Sequence, residues 1–460
     1  MRALPIAAVG AKLSRVASKV VPDPFVLALG LTLLVGVFGA ILLADEPPEG
    51  GVVWTLIDGW ATGFASPGGL AFALQMCLVL VTGHALATSP PVQRWVRAIA
   101  SKVRGAAGAA FVVSIVACLA AVIHWGLGAI VGAFLAREIG RNSLRDDVGP
   151  VLHYPLLGAA AYAGLAVWHG GLSGSAPLKV AEPGHFAADA IRTHADGIVP
   201  VTETLLSPLN FVVTGVLCLG LPVLFAALTP SDEDRTPPDP EALRGATPKA
   251  DPEEGRFRFE RSRAVGVLVG LVGLGTIGAA WATGRMSLDL NLVNFLFLFA
   301  GVALQGSLRG YVDAITDGAK GAGGIILQFP FYFGILGIMK AAGLITWISE
   351  AMVAVADADT FPVLAFFSAG IVNLMVPSGG GQWAVQGDIL LGAGDALGVP
   401  PGTTVMAFAY GDAWTNTLQP FWALPLLGIM GLEAKSIVGY TAVACIAMGI
   451  VVPVLLLVLG

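Results

Sequence analysis

Apolar runs nearly free of charge, each about as long as a bilayer is thick, recur from one end of this chain to the other. A membrane helix needs about 20 such residues, and residues 24–44, 67–89, 205–229, 263–283, 290–307, 322–344 and 434–459 each supply them. A soluble fold could not hide that much apolar surface. Charge content agrees: 12% of the residues are Asp, Glu, Lys or Arg, against roughly 25% in soluble domains. The 60 glycines and 29 prolines fit too, because both are more frequent in membrane helices than in soluble ones. The chain is therefore expected to be an all-α polytopic membrane protein.

Further apolar stretches do not read as simple spans. Residues 106–140 and 361–397 are long with Gly-rich centres, which predicts two re-entrant hairpins, each entering and leaving on one side. Residues 154–178 and 403–428 could cross, but polar, Gly and Pro residues interrupt them midway, which predicts broken helices. About nine crossings result. Lys and Arg then set the orientation. With the N-terminus inside, 21 of the 25 basic residues are cytoplasmic, and only Lys179, Arg192, Arg285 and Lys340 lie outside. The C-terminus is then periplasmic or extracellular, and the expected location is a bacterial inner membrane. The run from Phe25 to Leu43 is too long for a signal peptide and lacks a small-residue cleavage site after it. Cys77, Cys118, Cys218 and Cys445 sit singly in apolar runs and read as small packing residues. No basic stripe with interleaved aromatics exists, which argues against a nucleic-acid partner.

Residues 230–262 carry six prolines and alternating charge, so they are expected to form a mobile cytoplasmic linker with no core of its own. The linker separates two halves, 1–229 and 290–460, with 263–289 as an extra connecting helix. The halves resemble each other weakly. Ile57-Asp58-Gly59 followed by Leu74-Gln75 has a counterpart in Thr316-Asp317-Gly318 followed by Leu327-Gln328. Ala161-Tyr162 with Trp168-His169-Gly170-Gly171 matches Ala409-Tyr410 with Trp414-Thr415-Asn416-Thr417. Each half runs span, span, hairpin, broken span, span. An odd number of crossings separates equivalent positions, so the second half must be inverted. Inverted repeats with discontinuous helices are a transporter architecture, with the binding site near the midplane. Unwound backbone inside a bilayer is tolerable only where it is buried in protein or lines a cavity. Helix N-termini then offer N–H groups to an anion, and free carbonyls suit a cation.

Four segments carry that chemistry. The hairpin tips hold His124, Trp125 and Gly126, and Asn373, Ser378, Gly379, Gly380, Gly381, Gln382 and Trp383. The broken spans hold His169, Gly170, Gly171, Ser173 and Ser175, and Asp412, Trp414, Asn416 and Thr417. Three consecutive glycines after Pro-Ser suit no continuous helix but suit a turn that lets a ligand approach the backbone. Asp412 is an intramembrane carboxylate, and such groups are functional by default; it either carries a coupling cation or proton, or partners a donor such as His169 or His124. The two histidines either take up coupling protons or act as neutral hydrogen-bonders. Asn373, Ser378, Asn416 and Thr417 supply neutral oxygens that suit sodium, or else hold the hairpins in place. No metalloprotease, P-loop, nucleophile-elbow or dinucleotide fingerprint is present, so the chain is not expected to be an enzyme or to need a cofactor beyond a coupling ion.

At these segments, VIxWGxGxxVGAxxARE, WxGGxSGSxPL, VPSGGGxWxxQG and AYGxxWxNxxQPFWALP, with Val21-Pro22-Asp23-Pro24 and VTGHALA at Val81 to Ala87, resemble the bacterial short-chain fatty acid transporters of the wider ion-transporter superfamily. The resemblance runs nearly end to end. It implies uptake of small monocarboxylates of the butyrate and acetoacetate class by a secondary symporter. It also implies homodimers in which a transport domain moves against a fixed scaffold, coupled to sodium or protons. The dicarboxylate branch carries Ser-Asn-Thr motifs at its hairpin tips where this chain has His124-Trp125-Gly126 and Pro377-Ser378-Gly379, so the coupling ion stays open. No arginine lies in the four segments, which fits one carboxylate better than two, since an unpaired dianion is costly to desolvate. Trp125, Trp168, Trp383 or Trp414 would wall a short apolar tail. The alternative on the same scaffold is an exporter, or a cation–proton antiporter, of another small anion.

Overall fold

The computed structural model describes residues 12–13, 24–145, 152–181, 197–243, 259–286, 290–375, 379–419 and 422–460. Among them the only regular structure is helical. The first half contains α1 (Pro24–Leu42), α2 (Val52–Phe64), α3 (Pro67–Ala87), α4 (Pro90–Ala100), α5 (Gly105–Ile123), α6 (Trp125–Arg145), α7 (Tyr154–Tyr162), α8 (Ser175–Lys179) and α9 (Pro208–Ala227). After α10 (Pro240–Leu243) and α11 (Arg263–Ala282), the order repeats. The second half has α12 (Leu290–Gln305), α13 (Leu308–Ala319), α14 (Gly323–Ala341), α15 (Leu344–Val353), α16 (Phe361–Met375), α17 (Gly379–Leu397), α18 (Pro401–Asn416), α19 (Leu424–Met430) and α20 (Ala434–Leu459). Helices α5, α9, α11, α14 and α20 are each long and apolar enough to cross a bilayer. This is a multi-pass membrane protein.

Local sequence explains where several of these helices start. Ser66 and Ser207 each precede a proline, and their hydroxyls accept from Gly69 N–H (3.1 Å) and Asn210 N–H (3.2 Å). Ser307 caps α13 in the same way through Gly310 N–H, at 3.0 Å. A serine cap with proline in the first turn satisfies an orphan donor and fixes φ where the helix needs it.

The short helices α2, α4, α13 and α15 were not expected from the sequence. Two of them lock the halves together. Helices α1 and α2 of the first half pack along α14 of the second, while α12 and α13 of the second pack along α3 of the first. Small residues permit the contact. A Cβ on Gly63 would collide with Phe333 O, and one on Gly337 with Gly59 O. At the corresponding place in the other pair, Gly318 lies against His84, and His84 Nε2 stands 3.3 Å from Asp317 Oδ2. Asp317 lies outside the spans, and its hydrogen bond from Lys320 (2.7 Å), aided by His84, holds its carboxyl below the usual range.

The remaining helices form a second, more buried group. Every residue of α7 is buried, and so is nearly all of α18. The predicted hairpin 106–140 is two antiparallel helices, α5 and α6, with the break at His124, whose backbone is extended. Both arms are long enough to cross, but only the first is apolar enough. The predicted hairpin 361–397 is α16 and α17, and its turn, Val376-Pro377-Ser378, lies outside the described residues.

The linker departs from expectation. Residues 230–243 dock onto the body: Tyr154 N–H donates to Thr236 O (2.8 Å), Thr236 N–H to His153 Nδ1 (2.9 Å), and Arg141 Nε to Leu243 O (3.0 Å). Leu243 is buried against Gly140. Composition misjudged this segment because its backbone, not an apolar side-chain face, makes most of the attachment. His153 precedes the broken span, and burial pushes its pKa down to about 4. A neutral ring there keeps Nδ1 free to accept from Thr236 and lets Nε2 meet the Tyr440 hydroxyl at 2.8 Å.

Candidate functional site

Both predicted interruptions are real. In the first, α7 passes into 3-10 turns at Ala163–Ala166 and Trp168–Gly170 before α8 resumes at Ser175. In the second, α18 ends at Asn416, so Asp412 and Trp414 lie on helix; residues 417–419 and 422–423 are non-helical, and α19 starts at Leu424. The two breaks meet at a buried pair: His169 Nδ1 lies 2.7 Å from Asp412 Oδ2, and both side chains are 0% exposed.

Hydrogen bonding assigns the protons. Ala176 N–H, which can only donate, points at His169 Nε2 at 3.1 Å, and Ser175 Oγ stands at the same distance. Nε2 therefore accepts, the ring is neutral, and Nδ1–H donates to the carboxylate. Asp412 Oδ2 also accepts from Asn416 Nδ2 at 3.2 Å. Its other oxygen, Oδ1, is buried with no partner. A neutral imidazole leaves the carboxylate charge uncompensated. That is expensive without a cation or a proton.

Asn373 and Gln419 are bonded to the same stretch of chain. Asn373 Nδ2 donates to Asp412 O (2.8 Å), Thr415 Oγ1 (2.9 Å) and Asn416 Oδ1 (2.8 Å). Gln419 Nε2 donates in turn to Asn373 O. The remaining side-chain oxygens of both residues, Asn373 Oδ1 and Gln419 Oε1, are buried and unpartnered like Asp412 Oδ1. Donors are absent for all three, and hard cations select oxygen ligands. Gln419 belongs to the AYGxxWxNxxQPFWALP motif of the second broken span, but the sequence did not single it out as a site residue.

Next to the pair lies a more open crevice. A Cβ on Gly379, at the start of α17, would meet His169 Cε1 at 2.9 Å, and Ser175 Oγ and Trp168 Cη2 at 3.0 Å. Gly380 is exposed, while Ser173, Ser175 and Gly381 are partly exposed. The first turn of α17 carries N–H groups without intrahelical acceptors, at the positive end of the helix dipole. Trp168 stacks on His169, ring centroids 4.3 Å apart, and its indole N–H is buried without a partner.

Other expected site residues stand apart. The start of α6 is already capped, because Trp125 N–H donates to Ser173 Oγ and Gly126 N–H to His124 Nδ1, both at 3.1 Å. Gly170 and Gly171 face Asn210 and the Val122 backbone respectively, where a Cβ would not fit. Gln382 Nε2 donates to Ala369 O and Gln386 Oε1 inside the α16–α17 layer. Trp383 is buried on Phe408. Trp414 stacks on Phe366 and donates to Cys445 O, and Thr417 Oγ1 donates to Trp414 O. Ser378 lies outside the described residues. Among those residues no cluster of His, Cys, Asp and Glu suits a transition metal. The cysteines are not all single: the Cys118 and Cys218 thiols meet between α5 and α9.

The family model for the short chain fatty acid transporter matches residues 5–459. An Escherichia coli (strain K12) protein is 38% identical over 446 residues, covering 95% of this chain and 96% of its own length. One from Haemophilus influenzae (strain ATCC 51907 / DSM 11121 / KW20 / Rd) is 36% identical over 436 residues, covering 93% and 94%. Both bear the provisional name of short-chain fatty acid transporter. Among solved structures, the Alcanivorax borkumensis YdaH transporter is 18% identical at a TM-score of 0.43, covering 95% of this chain and 98% of that one. Neisseria gonorrhoeae MtrF, described with a class of antimetabolite efflux pumps, is 15% identical at 0.42, covering 98% and 97%. At such scores neither likeness bears on the placement of a residue.

Proposed function

The chain belongs to the short-chain fatty acid transporter family, and we propose that it is a secondary carrier that takes up small monocarboxylates with a coupling cation. The observation that carries this reading is Asp412: a carboxylate at 0% exposure, paired with a neutral His169, whose Oδ1 has no donor. A coupling ion seated among Asp412 Oδ1, Asn373 Oδ1 and Gln419 Oε1 would supply the missing charge. Sodium suits three oxygens, and a proton on Asp412 would relieve only one.

The substrate carboxylate would then sit at the first turn of α17, against Ser175 and the N–H groups of Gly379 and Gly380, with Trp168 beside its short tail. No arginine lies in the four segments, so a monoanion is held without the desolvation cost of a second charge. The orientation follows the 21 of 25 basic residues expected inside. In this reading the α1–α3 and α12–α14 layer, closed by its reciprocal packing, is the dimeric scaffold, and the buried group around α7 and α18 moves against it.

Uptake of labelled butyrate into proteoliposomes, with sodium and proton gradients imposed separately, tests the proposal. Accumulation driven by one gradient, inhibited by acetoacetate and abolished by Asp412→Asn, is the expected result. Uptake indifferent to both gradients, or undiminished in Asp412→Asn, would overturn it.

A further inference from the structure

The two halves hold each other's breaks through a pair of tyrosines. Tyr162 ends α7 in the first half, and its hydroxyl stands 2.9 Å from Asn416 O and 2.7 Å from Gln419 O, at the unwound end of α18 in the second. Tyr410, on α18, sends its hydroxyl the other way, to Asn210 Oδ1 at 3.0 Å. Asn210 passes the connection on. Its Nδ2 donates to Gly170 O (2.8 Å), in the first break, and to Leu205 O (2.7 Å), while Thr214 Oγ1 donates to its Oδ1 at 2.9 Å. Both backbone oxygens can only accept, so the amide has a single orientation and every hydrogen-bonding position it owns is used. Gly170 has no room for a Cβ beside Asn210 Oδ1 and Thr214 Oγ1. Tyr162 and Tyr410 occupy matching positions in the two halves, each after an alanine and ahead of the unwound segment.

We propose that Tyr162 and Tyr410, the latter through Asn210, are reciprocal positioning residues that fix each half's unwound segment by a hydroxyl from the opposite half. Each brace serves a different ligand. Tyr162 bears on the carbonyls beside Asn373, Asp412 and Gln419, the acceptor cluster for the coupling cation. Tyr410 and Asn210 bear on Gly170, next to His169 and Trp168, the wall of the substrate crevice. Both hydroxyls are buried, so removing one takes a hydrogen-bond donor from the Asn416 and Gln419 carbonyls or from Asn210 Oδ1, which keeps only Thr214, while the ring still fills its space. The division into cation and substrate sides rests on the carrier reading above; the braces themselves do not.

Tyr162→Phe and Tyr410→Phe, with Asn210→Asp as a second variant on the Tyr410 side, provide the test. Hydrogen exchange by mass spectrometry on purified protein reads the braces without any assay of transport. Tyr162→Phe should speed exchange at least fivefold in peptides spanning 416–419 and leave 168–176 unchanged, and Tyr410→Phe should do the converse. In proteoliposomes, Tyr162→Phe should raise the half-saturating concentration of the coupling cation at least fivefold with little change in butyrate KM. Tyr410→Phe and Asn210→Asp should raise butyrate KM by that factor at unchanged cation dependence. Exchange that stays as in the unmodified protein for both Phe variants would overturn the braces, whatever transport shows. Braced exchange with both ligand dependences altered equally would overturn their separate roles. Braced exchange in a protein that moves no butyrate would instead sink the carrier reading and leave the braces standing.

Discussion

Asp412 and His169 answer to each other rather than to solvent. Buried pairs are expensive to break on one side only, by about 3–5 kcal/mol, because the remaining group is stranded. His169→Ala is therefore expected to lower the melting temperature in detergent more than His169→Ala combined with Asp412→Ala, with a coupling of about 1 kcal/mol or more. Simple additivity of the single variants would refute the pairing. Beside a coupling role, the sequence offered Asp412 a partner donor such as His169 or His124. It could not choose between them, because the choice depends on which break faces α18. His124 instead caps its own helix, accepting from Gly126 N–H. Asn210 gave no warning at all: an asparagine three residues after a helix cap looks like local structure, and its four partners come from three separate stretches of chain.

At the scale of helices, glycine separates two kinds of surface. Gly63 on α2 faces the backbone of α14 with no room for a side chain, whereas a Cβ on Gly275 of α11 would meet nothing within 4 Å. Gly63→Val should destabilise the protein by about 1–3 kcal/mol through overpacking. Gly275→Ala should be neutral or stabilise by up to about 1 kcal/mol through helix propensity. Thermal unfolding of both variants in one detergent checks the contrast, and equal effects would mean that α2 does not pack on α14 as described. The lengths of the apolar runs made the long helices readable in advance, and Gly, Pro and polar residues marked the interrupted segments. Helices α2, α4, α13 and α15 escaped notice because they are short, only partly apolar and embedded in stretches that read as loops.

For the whole molecule, the crossed packing of α1–α2 on α14 and α12–α13 on α3 makes the halves interdependent. Each half exposes close-packed glycine faces when the other is absent. Fragments 1–250 and 251–460, expressed separately, should aggregate or be degraded, while co-expression should recover a complex that co-purifies. A stable, monodisperse single fragment would contradict the interlock. The long apolar helices were legible because hydropathy follows from solvent: the bilayer's thickness sets helix length and its low polarity keeps charge out. Those are properties of a segment and its surroundings. The sequence by itself thus determined that the chain is an all-helical, multi-pass membrane protein of the short-chain fatty acid transporter family. Only the tertiary structure decided that Asp412 meets His169, that Asp412 Oδ1, Asn373 Oδ1 and Gln419 Oε1 are buried without donors among the described residues, and that residues 230–243 dock onto the body. The physical reason is range. Hydrogen bonds and desolvation depend on which groups lie within about 3 Å, and residues 243 positions apart in the chain reach that distance only when the whole fold has brought them together.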